Sequence, residues 1–404
     1  MTTKTHSSAE LIALSETYGA NNYHPLPIMV SRAEGVWVWD PEGKKYMDML
    51  SSYSALNHGH RHPRIVEALK QQADRCTLTS RAFHNDRLGP FLEQVVKLCG
   101  MEMALPMNTG AEAVETAIKA ARKWGYKIKG VPDDKAEIIV FDNNFHGRTT
   151  TIVGFSSEAQ YKDGFGPFTP GFRLVPYGDL EAVKGAVNDN TVAILVEPIQ
   201  GEGGIIIPYE GYLSDLTALC KEKEMLLILD EIQTGLGRTG KLFAYQYDEG
   251  AGPDMLILGK ALGGGIYPVS MTVSSKEVLG VFNPGDHGST FGGNPLGCAV
   301  GIASLDVLIE EDLPGKAYRS GEYFMNAIRS MNSPHVREVR GKGLLIGVEI
   351  KRESGVARPF CEKLMDEGIL CKETHESVIR FAPPLIISRE EMDFALEKVK
   401  KVLC

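Results

Sequence analysis

Short apolar runs closed by a polar residue recur along the middle of the chain: "AEIIVFD", "VAILVEP", "LLILDE" and "MLILGK". Runs this short and this continuously apolar predict strands buried on both faces, as in a mostly parallel sheet covered by helices. "LSDLTALCKEKE" has helical spacing and supplies a crossover between the second and third runs. A ligand in such an α/β sheet sits beyond the carboxyl ends of the strands. Asp142, Glu197, Asp230 and Lys260 are therefore the first residues to inspect for chemistry.

The flanks carry other rhythms. "GVWVWDPEGKKYMDML" alternates about Val36 and Val38 and then turns at Asp40-Pro41-Glu42-Gly43, a hairpin pattern. "HPRIVEALKQQADRC" predicts an amphipathic helix with Pro63 in its first turn. "NTGAEAVETAIKAARKWGYK" predicts another, with early Glu112 and Glu115 and late Arg122 and Lys123 complementing the helix dipole. After "GSTFGGNPLG" come two long helices, a strand pair across a glycine turn in "VREVRGKGLLIGVEI", and a closing helix in "EEMDFALEKVKKVL". The 404 residues exceed the roughly 150 typical of one domain. We expect an N-terminal segment (1–50) contributing to a small domain and to the active site, a large domain (51–293), and a C-terminal small α+β domain (294–404).

Composition narrows the classes. Apolar residues at 43% and charged residues at 24% describe a globular chain. A net charge of −9 argues against a nucleic-acid surface but leaves room for an anionic substrate held by one or two buried arginines. The seven cysteines are scattered, odd in number and without metal-like spacing, which fits reduced thiols in a cytosol. "MTTKTHSSAELIALSETYG" has neither a signal-peptide core nor an arginine-rich targeting stretch. The apolar runs fall short of the roughly 20 residues a membrane span needs. The expectation is a cytoplasmic protein with no membrane and no nucleic-acid partner.

Lys260 ends an apolar run and precedes Gly263-Gly264-Gly265. At the lip of a core a lysine loses solvation, and its neutral amine becomes available as a nucleophile. On that fragment alone a surface lysine is the simpler reading. Asp230 changes the balance: an amine and a carboxylate emerging at one sheet edge suit pyridoxal phosphate, whose ring nitrogen needs an anionic partner to stay protonated. A helix cap is the other role open to Asp230. Thr109, Gly110 and Ala111 open a helix, where free amides favour phosphate, and no Walker or dinucleotide-binding glycine pattern is present. In "FDNNFHGRTT", Phe145 suits stacking on a planar cofactor and Arg148 a carboxylate, with core packing and a surface ion pair as their alternatives. Arg380 in "VIRFAPPL" is a second carboxylate candidate. His58, His60 and His62 alternate in "NHGHRHP", but Gly59 and Pro63 break a regular strand, so loop hydrogen bonding precedes a metal site; the expected metal is none.

These segments together resemble the class-III, fold-type I aminotransferases, in the subgroup acting on terminal amines. The resemblance runs through nearly the whole chain, from "SSYSALNHGHRHP", "PMNTGAEA" and "NFHGRT" to "VEPIQGEGG", "DEIQTGLGRTG", "LGKALGGG", "HGSTFGGNPLG" and "RGKGLL". "YHPLP" with "IRFAPPL" is the part more particular to the branch that handles ornithine. It implies a large domain with a mostly parallel sheet plus a smaller α+β domain, a pyridoxal 5'-phosphate cofactor, and a homodimer with shared sites, some members associating further. L-ornithine and 2-oxoglutarate are the implied substrates. The alternative is another ω-aminotransferase, handling acetylornithine, 4-aminobutyrate or lysine.

By the same resemblance Lys260 is joined to the cofactor and shuttles the proton, while Asp230 pairs with the ring nitrogen. Phe145 stacks on the ring and Gln233 bonds its phenolic oxygen. Gly110 and Ala111 offer amides to the phosphate, with Thr290 arriving from the neighbouring subunit. Tyr23 and Arg148 hold the α-amino and α-carboxylate groups of ornithine, and Tyr53 lines the pocket. Arg380 pairs with Glu202 in one half-reaction and is freed for 2-oxoglutarate in the other. One departure stands out: His146 occupies a place where the subgroup often has an aromatic ring.

Overall fold

A computed structural model describes residues 6–404. After a helix at Ser8–Tyr18 come three strands, β1 (Arg32–Glu34), β2 (Trp37–Trp39) and β3 (Lys45–Asp48), and β2 and β3 form the hairpin whose turn chemistry the sequence displays. Seven more strands build the central sheet: β4 (Met103–Met107), β5 (Glu137–Phe141), β6 (Phe172–Val175), β7 (Thr191–Val196), β8 (Leu226–Asp230), β9 (Met255–Leu258) and β10 (Ser270–Ser274). The last five are β11 (Val336–Lys342), β12 (Leu345–Ile350), β13 (Ile369–Leu370), β14 (Lys372–Thr374) and β15 (Val378–Phe381).

The central sheet runs in the order β4-β10-β9-β8-β7-β5-β6. All its neighbours are parallel except β10, which is antiparallel to both β4 and β9. The four apolar runs read from sequence are β5, β7, β8 and β9, side by side. Successive side chains point to opposite faces. Ile139, Phe141, Leu227 and Leu229 accordingly enter one core, while Ile138, Val140, Leu226 and Ile228 enter the other. Two buried faces are the reason these runs lack alternation.

Three strands escape the apolar pattern: β6 at one edge, and β4 and β10 at the other. β4 carries Pro106, tolerable because the strand lies at the edge of the sheet. β10 interleaves Ser270, Thr272 and Ser274 with apolar residues yet is fully buried. Its hydroxyls find acceptors instead of water: Ser270 donates to the Thr109 carbonyl (2.7 Å) and Thr272 to that of Ala113 (2.8 Å). Both acceptors lie at the start of the helix Gly110–Trp124, so these bonds fix where that helix begins.

β3 pairs in parallel with β13, so the N-terminal strands share a four-stranded sheet with a segment more than 300 residues away. β11, β12, β15 and β14 form a third sheet. The helices Pro295–Glu310 and Arg389–Leu403 match the patterns read after "GSTFGGNPLG". The three histidines diverge: His58 bonds the Ser304 carbonyl (2.9 Å), His60 the Asp48 carboxylate (2.8 Å) and His62 that of Glu311 (3.1 Å). Among the described residues no helix is long and apolar enough to cross a membrane.

Candidate active site

A cavity of about 190 Å³ opens at the carboxyl ends of β7, β8 and β9. Glu197 follows β7, Asp230 is the last residue of β8, and Lys260 lies two residues beyond β9, with all three in the cavity wall. Asp142, the fourth residue singled out by strand ends, is not in that wall, and its carbonyl accepts a bond from the Gln200 side chain (2.7 Å). Lys260 has a left-handed φ of +42°, an arrangement that an L-residue adopts only when its surroundings hold it there. Burial lowers its amine pKa, against the opposing pull of Glu202, Asp230 and Glu197, so more of the amine is neutral than in a free lysine.

Of the two roles left open for Asp230, the capping contact is the one its hydrogen bonds display. One carboxylate oxygen accepts the Ile232 amide (3.0 Å), as a turn cap would, and the other lies 2.7 Å from Nδ1 of His146. Both residues are buried. Burial alone would push the imidazole pKa down, but the hydrogen bond and charge of Asp230, with Glu197 beyond, carry it above the ordinary histidine value. His146 is thus the residue that orients Asp230, and sequence reasoning left it without a role. Eighty-four positions separate the pair, and no local spacing announces it. Glu197 was reached only as a strand-end residue. It accepts the Phe145 amide (2.9 Å), and burial, first among several causes, lifts its carboxyl to about 7.

The opposite end of the cavity is a charge pair. Arg380, 1% exposed in the middle of β15, donates to Glu202, and its guanidinium lies 4.9 Å from the Tyr53 ring centre. Burial would raise the Glu202 carboxyl, but the charge and hydrogen bond of Arg380 outweigh it and hold the group below the usual carboxylate range. Thr374 in β14 donates to the Glu202 carbonyl (2.7 Å) and fixes its backbone. Gln233 stands between the two ends. Its amide donates to Glu202 (3.2 Å) and to the Tyr53 carbonyl (3.4 Å), while its own oxygen is buried without a partner among the described residues. A Cβ at Gly201 would come within 1.5 Å of that oxygen, so the first glycine of "GEGG" is what lets Gln233 enter.

At the anion end, the Thr109 hydroxyl caps the helix by accepting the Glu112 amide, and the Glu112 side chain returns the bond. Thr109 is exposed and outside the cavity wall, whereas Gly110 and Ala111, next along, are in it. Their amides have no acceptor among the described residues, which is the donor set an anion requires. Phe145 lines the cavity. Arg148 is exposed and lies over the Tyr161 ring at 3.9 Å, with Phe145 at 5.7 Å, and makes no ion pair among the described residues. Tyr23 is 69% exposed, near enough to Tyr53 and Tyr161 to influence the titration of both. Thr290 is exposed and is not brought to the cavity of its own chain.

Residues 18–403 match the family model described as aminotransferase class-III. The chain belongs to the class-III aminotransferases. It is 63% identical over 396 residues to an ornithine aminotransferase of Bacillus subtilis (strain 168), covering 98% of both chains. Among solved structures it is similar to the ornithine aminotransferase of Toxoplasma gondii ME49, with a TM-score of 0.97 and 44% identity over 99% of this chain and 96% of that one. An acetylornithine aminotransferase of Elizabethkingia anophelis gives a TM-score of 0.89 and 45% identity, covering 99% of each. This aminotransferase has the fold-type I architecture and uses pyridoxal phosphate. The residues present fit that cofactor: open amides at one end, a buried carboxylate at the other, an unpartnered amide oxygen between, and a desolvated amine.

Proposed function

We propose that this enzyme moves the δ-amino group of L-ornithine to 2-oxoglutarate, giving L-glutamate 5-semialdehyde and L-glutamate. The observation that carries the reading is the Arg380–Glu202 pair, whose carboxylate stands in the wall of the cavity that holds Lys260. A permanent cation masked by a carboxylate suits a pocket that must take a monocarboxylate with a distal amine and, in turn, a dicarboxylate. With Glu202 in place the guanidinium is neutralised, and an amine donor is received with its distal end toward Lys260. When Glu202 swings aside, Arg380 is free to bind the α-carboxylate of 2-oxoglutarate. Arg148 and Tyr23, on the exposed side, would hold the far end of either substrate. The relatives named ornithine aminotransferase support the same choice.

Bound pyridoxal phosphate supplies a carbonyl that takes up the amino group and a ring that withdraws electrons from the carbon being deprotonated. The chain does the rest. Gly110 and Ala111 would hold the phosphate, Phe145 would stack on the ring, Gln233 would bond the phenolic oxygen, and Asp230, aimed by His146, would keep a proton on the ring nitrogen. Lys260, with its depressed pKa, would accept the proton from the substrate δ-carbon and release it to the carbon on the far side of the transferred nitrogen. Thr290, exposed on its own chain, suits a donor to the phosphate of a second subunit, so the working unit is a homodimer.

A panel of ornithine, N-acetylornithine, 4-aminobutyrate and lysine, each reacted with the holoenzyme and followed by cofactor absorbance, tests the assignment. Ornithine is expected to react with a kcat/KM at least about tenfold above the others. A preference for acetylornithine, the substrate named for the Elizabethkingia anophelis structure, would replace it.

A further inference from the structure

Ser51, Ser52, Tyr53 and Ser54 all have left-handed φ angles, +53°, +47°, +60° and +72°. A run of four L-residues in this region crowds each Cβ against the following carbonyl, and no glycine relieves it. The serines do little to hold it, because the hydroxyls of Ser51 and Ser54 are buried without partners among the described residues. The contacts that do hold it converge on one carboxylate. Asp48, the last residue of β3, accepts with a single oxygen both amides that open the turn, Leu50 (2.9 Å) and Ser51 (2.8 Å). Its other oxygen lies 2.8 Å from Nε2 of His60. At the exit, the amides of Ala55 and Leu56 both return to the Ser51 carbonyl (2.9 and 3.1 Å). The product of the turn is the placement of Tyr53, its ring against Arg380 and its carbonyl accepting from Gln233.

We propose that Asp48, seconded by His60, is a positioning residue that holds the left-handed turn and thereby aims Tyr53 at the Arg380–Glu202 gate. Asp48 bonds the turn and His60 but neither Arg380 nor Glu202, so it acts on the gate through the turn that carries Tyr53. The proposal deepens the substrate reading above and rests on Tyr53 facing the substrate.

The test compares Asp48→Ala, Asp48→Asn and His60→Gln holoenzymes, each in the native background and with Tyr53→Ala, by single-turnover absorbance with ornithine. Asp48→Ala is expected to raise the ornithine KM about tenfold, with the maximal half-reaction rate changed less than about twofold. Asp48→Asn, which keeps an oxygen for both amides, recovers most of that loss, and His60→Gln gives a smaller rise. In the Tyr53→Ala background all three effects vanish, since the residue they position is gone. Equal KM rises in both backgrounds, no rise in either, or no rescue by Asn overturns the proposal. If Asp48→Ala does not fold, Asp48→Asn and His60→Gln decide it by whether their KM rises disappear with Tyr53→Ala. Should the native enzyme prefer another amine, the substrate reading fails by itself, and the coupling is measured with that amine.

Discussion

At the cofactor end of the cavity, Glu197, Asp230 and Lys260 leave three adjacent parallel strands within two residues of where each strand stops. At the gate end, Tyr53, Glu202 and Arg380 come from a strained turn, a glycine-rich loop and a strand of another sheet, and the charge pair joins residues 178 positions apart. The first end is held by a sheet buried on both faces, which leaves its residues little freedom. The second depends on single hydrogen bonds, such as those from Gln233 and Thr374, between segments with no backbone in common. Rigidity where the proton moves and adjustability where the substrate changes is what a two-substrate exchange demands.

Substitutions should separate the two ends, and the largest effect belongs to Lys260. Lys260→Ala is expected to slow both half-reactions alike, by roughly 10⁴-fold, in single-turnover measurements. An unequal loss would mean that the cofactor end also discriminates substrates. Arg380→Ala strips the gate of its cation and strands the Glu202 charge. We expect a loss of about 10²-fold in kcat/KM for 2-oxoglutarate and a smaller one for ornithine. Glu202→Gln works in the other direction, leaving Arg380 unmasked. It should shift the ratio of glutamate to ornithine reactivity upward by about tenfold, and an unchanged ratio would refute the gate.

Two smaller effects sharpen the boundary between the ends. Gly201→Ala places a methyl group where the Gln233 oxygen lies, and should weaken cofactor retention about tenfold in equilibrium dialysis. Glu231, directly after Asp230 but turned away from the cavity, is a control for burial without catalysis. Burial, offset only in part by bonds from Thr234 and Tyr245, lifts its carboxyl to about 7. A raised carboxyl favours folding in its protonated form, so its contribution is complete below the ordinary value of 4.5 and is lost as pH rises through 7. Glu231→Gln should leave thermal stability near wild type at pH 4.5 and exceed it at pH 8, by on the order of 2 kcal/mol. A constant difference across that range would contradict the origin assigned to the shift.

Legibility in the sequence follows the same division. The runs at β5, β7, β8 and β9 predicted their strands because both faces are apolar, while β10 escaped because its alternating hydroxyls satisfy themselves on the helix above it. From residues alone, the Lys260 and Asp230 pair could be suspected, since strand ends project to one edge. Arg380 stood unattached until the family resemblance paired it with Glu202. His146 had no assignment by either route, and the folded chain gives it one at 2.7 Å from Asp230. Thr109, grouped with the phosphate donors from sequence, spends its hydroxyl on the helix cap instead.

By itself, then, the amino-acid order determined the parallel strands, the helix that opens at Gly110, and the edge at which an amine and a carboxylate emerge, because each follows from local periodicity and the geometry of strand ends. Only the tertiary structure decided which charges meet, from the His146–Asp230 contact to the gate and the left-handed turn under Tyr53. Those depend on segments brought together by burial, and a hydrogen bond across 84 or 178 positions leaves no trace in local spacing.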